Sequence, residues 1–521
     1  MTEKSDVFIR QSTGLVKNVS FFDAVALNIS NMSGGAALAT IGLTMVLFPI
    51  IGISVTGMNL VYGSILAFLF SIPQIIVYTI MTRRLSRTGG DYIWVSRTLG
   101  GMFGSALSFM GYTLETLAYL ALIVLSAVFA VGSVGVIMGN GGFLGLALPG
   151  SIPGADTTSQ FLLGSLIFLV LVLLNIFKPK AGYKLVSILT IVGVATLLIA
   201  VAVILGAGKE GVVSYANSIA SSSNNANLTY NAISGSYSGT SFDFGATLLL
   251  LPFFAIFVYP WLNAGPAVAS EIRGRKAIKW NVPLASFIIF ALVTGGFAVM
   301  YYVGGVPFTN AALSNPIYVY DNFFNFWTLA MGVTSNVVLQ WIIGIGWIVW
   351  NLSVLAYGII VFSRYMFAQS FDRFLPSRLA YISPKYGSPV IVHVVDLVIT
   401  VGLIGAVSYY YGTLTSLFGA VIASMIYFVF IGLAAAVYGS RKEKGGTKAT
   451  LIVCGLLQAV VFLFIIYEFL AYSGVWGGNI LAYGYAAGSF IAGLAIYLTS
   501  KWYHAKKGMN IDLAFKEIPP E

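Results

Sequence analysis

Charge is scarce in this sequence. Aspartate, glutamate, lysine and arginine make up 8% of its 521 residues, against roughly a quarter in a soluble domain. A water-facing surface cannot be assembled from so little charge, so lipid must be the solvent for most of the chain. Cysteine is scarcer still: Cys454 stands alone, which excludes an internal disulfide and any multi-cysteine metal site. The two histidines, His393 and His504, lie far apart in the chain. No HExxH, paired-carboxylate motif, nucleophile elbow or phosphate-cradling loop is present. Gly344-Ile345-Gly346 is glycine-rich, but no strand precedes it and its run is apolar, which reads as helix packing. Nothing supports enzymatic chemistry, and neither a cofactor nor a bound metal is expected.

What is abundant is apolar. Hydrophobic residues reach 58%, in continuous runs and not in short alternating ones. Hydrocarbon cannot satisfy backbone N–H and C=O groups, which leaves helices or a closed barrel as spanning elements. A spanning helix needs roughly 20 apolar residues, and long runs select helices. Twelve spans are predicted near 21–48, 53–81, 101–138, 160–177, 182–206, 243–270, 281–304, 335–371, 389–408, 413–438, 447–472 and 478–502.

The basic residues test that count. With twelve spans, every one of the 27 lysines and arginines except Lys209 falls on the side of the N-terminus. By the positive-inside rule both termini are then cytoplasmic, and one missed span would scramble the pattern. The net charge of +10 is therefore a topology signal spread over seven places, and no nucleic-acid partner is expected. The first twenty residues are polar, so no cleavable signal peptide is expected. The expected location is the cell membrane, multi-pass, with the lipid bilayer as partner. The largest outer loop, 207–242, is rich in Ser, Asn and Gly and reads as flexible and exposed; it holds one glycosylation sequon, Asn227-Leu228-Thr229.

Two spans differ from the rest. The first carries Asn28-Ile29-Ser30-Asn31-Met32-Ser33-Gly34-Gly35 near mid-depth, and the sixth carries Tyr259-Pro260-Trp261-Leu262-Asn263-Ala264-Gly265-Pro266. The two prolines remove backbone donors and clash with the preceding turn. Opened backbone at membrane depth survives only against protein or a water-filled cavity. The breaks lie five spans apart, so a five-span repeat would be inverted, and matched breaks in two halves point to a transporter's binding site. A half-helix beginning after Ser33-Gly34-Gly35 would aim N–H groups and a positive dipole end at a carboxylate, with glycine admitting the ligand to the backbone. Carbonyls freed around Tyr259–Trp261 suit an ammonium group or a cation. Such a site fits a zwitterion.

On these residues the sequence resembles the amino acid permeases of the amino acid–polyamine–organocation superfamily. Arg87-Thr88-Gly89-Gly90-Asp91-Tyr92 through Gly100 is similar to that family's first cytoplasmic loop, where Gly-Gly-x-Tyr leads into a short helix. Ser270-Glu271-Ile272-Arg273 matches the acidic-basic signature after the sixth helix. Ser363-Arg364, Asp372-Arg373-Phe374-Leu375-Pro376 and Tyr386-Gly387-Ser388-Pro389 match the end of the eighth helix and the loop after it. Together these cover roughly residues 20–440. The resemblance implies an all-α, leucine-transporter-like five-plus-five inverted repeat of twelve helices, broken in helices 1 and 6, with two extra C-terminal helices. It also implies that Ser33-Gly34-Gly35 corresponds to the family's Gly-Ser-Gly carboxylate site. The chain then divides into a tail 1–20, a first repeat 21–206, the loop 207–242, a second repeat 243–438, helices 11 and 12 over 447–502, and a tail 503–521. Two departures stand out. Where the family's sixth helix often reads Phe-x-Gly-(Phe/Tyr)-Glu, this chain has Phe257-Val258-Tyr259-Pro260-Trp261, which bears on substrate size. Where some proton-coupled members carry a lysine in helix 5, Gly193 aligns, so that coupling does not carry over.

The expected function is a secondary amino acid transporter working by alternating access, cation-coupled or exchanging. Backbone around Ser30, Asn31, Met32, Ser33, Gly34 and Gly35 is expected to hold the carboxylate. Backbone around Phe257, Val258, Tyr259, Pro260 and Trp261 is expected to hold the amine. Glu115, an acid deep in the third span, is a candidate proton carrier. Asn351 and Ser353 in the eighth span are candidate oxygen ligands for sodium. Sodium, proton and exchange stay open as coupling modes, as does oligomeric state. His393 and Asp396, three apart on one helical face, read as a local pair. Gly484-x-x-x-Gly488 reads equally as a dimer face or internal packing. Tyr301-Tyr302 and Tyr409-Tyr410-Tyr411 read as interface anchors. A polyamine or nucleobase carrier, an amino acid sensor and a channel are the alternatives; few buried acids, short tails and matched breaks respectively weigh against them.

Overall fold

The computed structural model describes residues 15, 17–148, 150, 152–410 and 421–518. Most of the expected N-terminal tail, the start of the tenth span at 413–420, Tyr411 and the last three residues lie outside them.

Among the described residues every regular element is a helix, two isolated β-bridges apart. Eleven helices are long and apolar enough to cross a membrane: Phe21–Ile50, Leu60–Arg84, Gly101–Ile137, Thr157–Phe177, Pro179–Ser222, Arg275–Gly304, Val337–Phe371, Val390–Tyr409, Ile422–Lys442, Gly445–Ala471 and Ile480–Ala505. The expected sixth span is the exception. It consists of Phe244–Leu248, Leu251–Phe257 and Ala264–Ala267, followed by a 3-10 turn at Ala269–Glu271.

Helix starts follow local chemistry. Ser20 and Asp23 form a reciprocal capping box, and Asn59, Asn336 and Asn479 cap their helices by accepting from first-turn N–H groups. The eighth span is the central one: 78% of its apolar window is buried within the protein, against 33% for the second span, which faces outward. Small residues allow close helix approach. A Cβ on Gly432 would lie 2.5 Å from the Gly455 carbonyl oxygen, and one on Gly344 would lie 2.7 Å from Val134; the Gly344–Gly346 run is thus spent on packing. Gly484 and Gly488 meet nothing within 4 Å inside the chain.

Two local differences from expectation have clear causes. The stretch 207–242 is largely helical: the fifth helix runs to Ser222 through a kink at Gly208 (φ 61°), and a further helix covers Tyr230–Ser236. Leu228 and Ile233 are buried there, and the Tyr230 hydroxyl donates to the Gly304 carbonyl, so a polar composition is anchored by a few apolar contacts. In the third span the ladder widens to π geometry over Phe109–Leu114, just before Glu115. Such bulges recur at functional sites.

The loops bearing the basic residues come together on one face. Arg364 of the eighth span forms a two-pronged ion pair with Glu271 (2.7 and 2.9 Å) and donates to Tyr183 of the fifth span at 3.0 Å. Arg97 pairs with Asp372, which also accepts from Tyr92. Thr88 bonds Ser270, and Gly89 N–H donates to the Ala267 carbonyl. On the opposite side a cavity of about 130 Å³ opens, lined by Thr40, Phe129, Tyr320, Asp321, Trp347 and Asn351 among others. The basic face is shut and the opposite face is recessed.

Candidate functional site

The first span stops at Asn31 and restarts at Gly34. The break lies at Met32-Ser33, so the second half-helix begins at Gly34, two residues earlier than expected, because Ser33 itself adopts the left-handed conformation (φ 44°) that turns the chain. Its hydroxyl turns back to the Ser30 and Asn31 carbonyls and caps nothing ahead of it. The N–H groups of Gly34, Gly35 and Ala36 therefore begin a twelve-residue helix with no acceptor among the described residues. All three residues are buried. Buried, unmet first-turn donors on a positive dipole end can receive an anion.

The glycines themselves serve packing. A Cβ on Gly35 would fall 2.3 Å from the Trp350 indole ring, and one on Gly34 would crowd Val293 and Ile289. Trp350 is fixed in turn by donating to the Gly193 carbonyl at 3.0 Å, and Trp327 donates to the Gly35 carbonyl at 2.9 Å. On the Cβ side, then, glycine admits tryptophan against the backbone.

The sixth span leaves helical geometry after Phe257, with Val258 at φ −128°, ψ −89°. Pro260 and Pro266 bracket the gap. The Trp261 indole folds back to donate to the Ala255 (3.1 Å) and Ile256 (2.7 Å) carbonyls, so part of the freed backbone is capped internally. The same indole stacks on Tyr119 at 5.8 Å. Gln74 donates to the Pro260 carbonyl, and the Tyr259 hydroxyl bonds Ser64 of the second span.

Asparagines join the two breaks. Asn31 Nδ2 donates to Asn263 Oδ1 at 2.8 Å, while Asn31 Oδ1 is buried without a partner. Asn28 accepts from Gly265 N–H at 2.9 Å and donates to Asn281 at 2.8 Å. An orphaned buried acceptor thus lies one turn from three buried donors without acceptors.

The ion-coupling candidates separate. Ser353 meets the first break: its hydroxyl lies 2.5 Å from Ser30, and Thr190 of the fifth span lies 2.9 Å from Ser30. Ser30 thus contributes its hydroxyl to a three-helix junction. Asn351, two residues from Ser353, faces the other way, bonds the Trp347 carbonyl and lines the outer cavity. Thr190, not Gly193, is the fifth-span residue that reaches the break. Glu115 is 2% exposed with Oε1 unpartnered, and forms no hydrogen bond to either break. His393 and Asp396 do not pair: Asp396 accepts from Thr400 one turn on, leaving Asp396 Oδ2 and His393 Nδ1 unpartnered. Tyr301 is no simple anchor, since it receives Leu60 N–H and donates to Asn310. Sequence reasoning did not single out Thr190, Trp327, Trp350 or the role of Asn263. Asn263 was within reach, as a polar residue between the two prolines.

Eleven long apolar helices around a segmented sixth stretch define a multi-pass membrane protein. A family model described as amino acid permease matches residues 19–480, and the chain belongs to that family. It is accordingly a transporter of the amino acid permease type. A search of the curated proteins gave no match.

Proposed function

We propose that the chain carries amino acids across the cell membrane by alternating access, with both termini and the basic face in the cytoplasm. The broken sixth helix supplies the twelfth crossing, and the first ten spans form two inverted repeats of five. The observation that carries the reading is the set of unmet groups at the junction of the breaks. The N–H groups of Gly34, Gly35 and Ala36 receive the carboxylate. Asn31 Oδ1 and the backbone of Phe257–Trp261 receive the amine. Trp261, buried and stacked on Tyr119, closes the space beside them, and the substrate is neutral rather than cationic, since no carboxylate bonds either break. The shut basic face and the recessed opposite face correspond to an outward-directed state. Coupling runs through the Ser30–Thr190–Ser353 junction when sodium is the ion, or through Glu115 when it is a proton.

The test is thermal stabilisation of the purified protein by each of the twenty amino acids, with and without sodium, at two pH values. A ligand at a hundredfold excess over its dissociation constant stabilises by roughly 2.7 kcal/mol. Stabilisation by one side-chain class supports the reading, and its sodium or pH dependence names the ion. Stabilisation by polyamines or nucleobases alone would overturn it.

A further inference from the structure

The Gly-Gly-x-Tyr stretch places an aspartate, Asp91, at the start of the short helix Asp91–Thr98 on the basic face, and the transport reading gives it no task. Asp91 is 0% exposed. Its carboxylate accepts from three phenols on three different spans: Tyr78 of the second at 2.8 Å, Tyr365 of the eighth at 2.6 Å and Tyr427 of the tenth at 3.0 Å. No ion pair to it forms among the described residues. The arginines nearest on this face are bound to other carboxylates, half-buried Arg97 to Asp372 and buried Arg364 to Glu271. The third span contributes a further phenol, Tyr112, stacked on Tyr365 at 4.0 Å. Among the described residues, the titratable groups that bond or pack against this carboxylate are thus tyrosines.

The cluster is wired to the site. The Tyr365 hydroxyl receives Asn263 Nδ2 at 3.2 Å, and Asn263 receives Asn31. One hydrogen-bonded run connects the first helix break to Asp91. It also straps the second span to the eighth and tenth on the face that is shut.

We propose that Asp91 is a proton-binding site of the basic-face gate and that its bound proton holds the gate shut. The proposal rests on the alternating-access reading. Opening this face parts the second span from the eighth and tenth, separates the phenols and lets water reach the carboxylate. A buried carboxyl without a counter-cation keeps its proton more tightly than a hydrated one. Burial lifts Asp91 from its ordinary 3.8 to about 6, against the opposing pull of the three phenolic hydrogen bonds. Linkage fixes the direction. The closed form binds the proton better, so acidification below about 6 favours closure, and that preference fades as pH rises through 6. Between the ordinary 3.8 and about 6, opening delivers the proton to the water on that face.

The experiment uses spin labels on exposed Arg83 and Ser377, both replaced by cysteine in a Cys454→Ala background, with the distance distribution recorded from pH 5 to 8. The closed population is expected to grow as pH falls, with a midpoint near 6. Asp91→Asn should stay closed and lose the pH dependence. Tyr427→Phe removes one donor to the ionised form, so its midpoint should rise by about half to one pH unit. A merely structural tyrosine would change stability without moving the midpoint. Distances independent of pH in the parent, growth of the open form on acidification, or an unmoved midpoint in Tyr427→Phe would each overturn the proposal. Should Asp91→Asn fail to fold, the tyrosine variant still decides. If no amino acid stabilises the protein while the distances still titrate, the transport reading falls and the Asp91 site stands.

Discussion

Replacing either partner of the Glu271–Arg364 pair should be among the most damaging single changes to this protein. The two side chains are 4% exposed and meet at 2.7 Å, where their attraction is about 6 kcal/mol at an effective dielectric of about 20. Removing both ions from water costs several kcal/mol each, so the intact pair contributes little net stability. Breaking it is different. Arg364→Met leaves Glu271 buried with only Tyr183 to donate to it, and Glu271→Leu leaves the guanidinium with Ser363 and the Tyr183 hydroxyl. Each single variant should lose about 3–5 kcal/mol, whereas the double variant Glu271→Leu/Arg364→Met should recover most of that loss. Reversible unfolding in mixed micelles reads all three free energies as a double-mutant cycle. Singles within 1 kcal/mol of the parent, or a double variant as poor as the two singles summed, would refute this account of the ion pair.

Gly35→Ala should force the Trp350 ring from its seat, costing about 1–3 kcal/mol and weakening amino acid binding; melting temperature and tryptophan fluorescence report both. Trp261→Phe removes the donor shared by the Ala255 and Ile256 carbonyls, costing about 1 kcal/mol, and should admit bulkier side chains in the thermal-shift panel. Ser353→Ala and Thr190→Ala should each abolish any sodium-dependent stabilisation while leaving amino acid stabilisation in saturating substrate. The C-terminal segment docks through Phe515, whose ring fills the space above Gly101 and beneath Arg97, and through Asp512. Burial opposes ionisation of Asp512, but hydrogen bonds from Lys501 and Tyr497 outweigh it and hold the carboxyl below its usual value. A lowered value means docking is supported above about pH 3.8 and lost as pH falls below it. Limited proteolysis should therefore find this tail more cleavable in acid, and cleavable at neutral pH in Asp512→Asn.

The helical body was legible because it depends on a quantity read one stretch at a time, apolar length. The two breaks were legible for a related reason, since Pro260, Pro266 and the Gly34-Gly35 pair are local disturbances of a helix. What fills the breaks was not. Ser30 meets Thr190 and Ser353 across 160 and 323 residues of chain, and Trp350 reaches Gly193 across 157. No periodicity carries such distances. The motif residues Glu271, Arg364 and Asp372 were marked by resemblance alone, and only the fold shows that they are one another's partners or neighbours. The loop after residue 206 misled because serine and asparagine signal coil on average, while a few buried side chains such as Leu228 decide the outcome here.

The Trp261 indole has a consequence for the empty carrier. Unwound backbone in the middle of a bilayer normally demands either cargo or water. Here the protein answers part of that demand itself, with Trp261 on Ala255 and Ile256 and Gln74 on Pro260. The unladen molecule therefore tolerates closing over its own vacancy. On the alternating-access reading proposed above, the empty return is a step the chain makes alone, and counterflow should accelerate uptake only modestly over simple net entry.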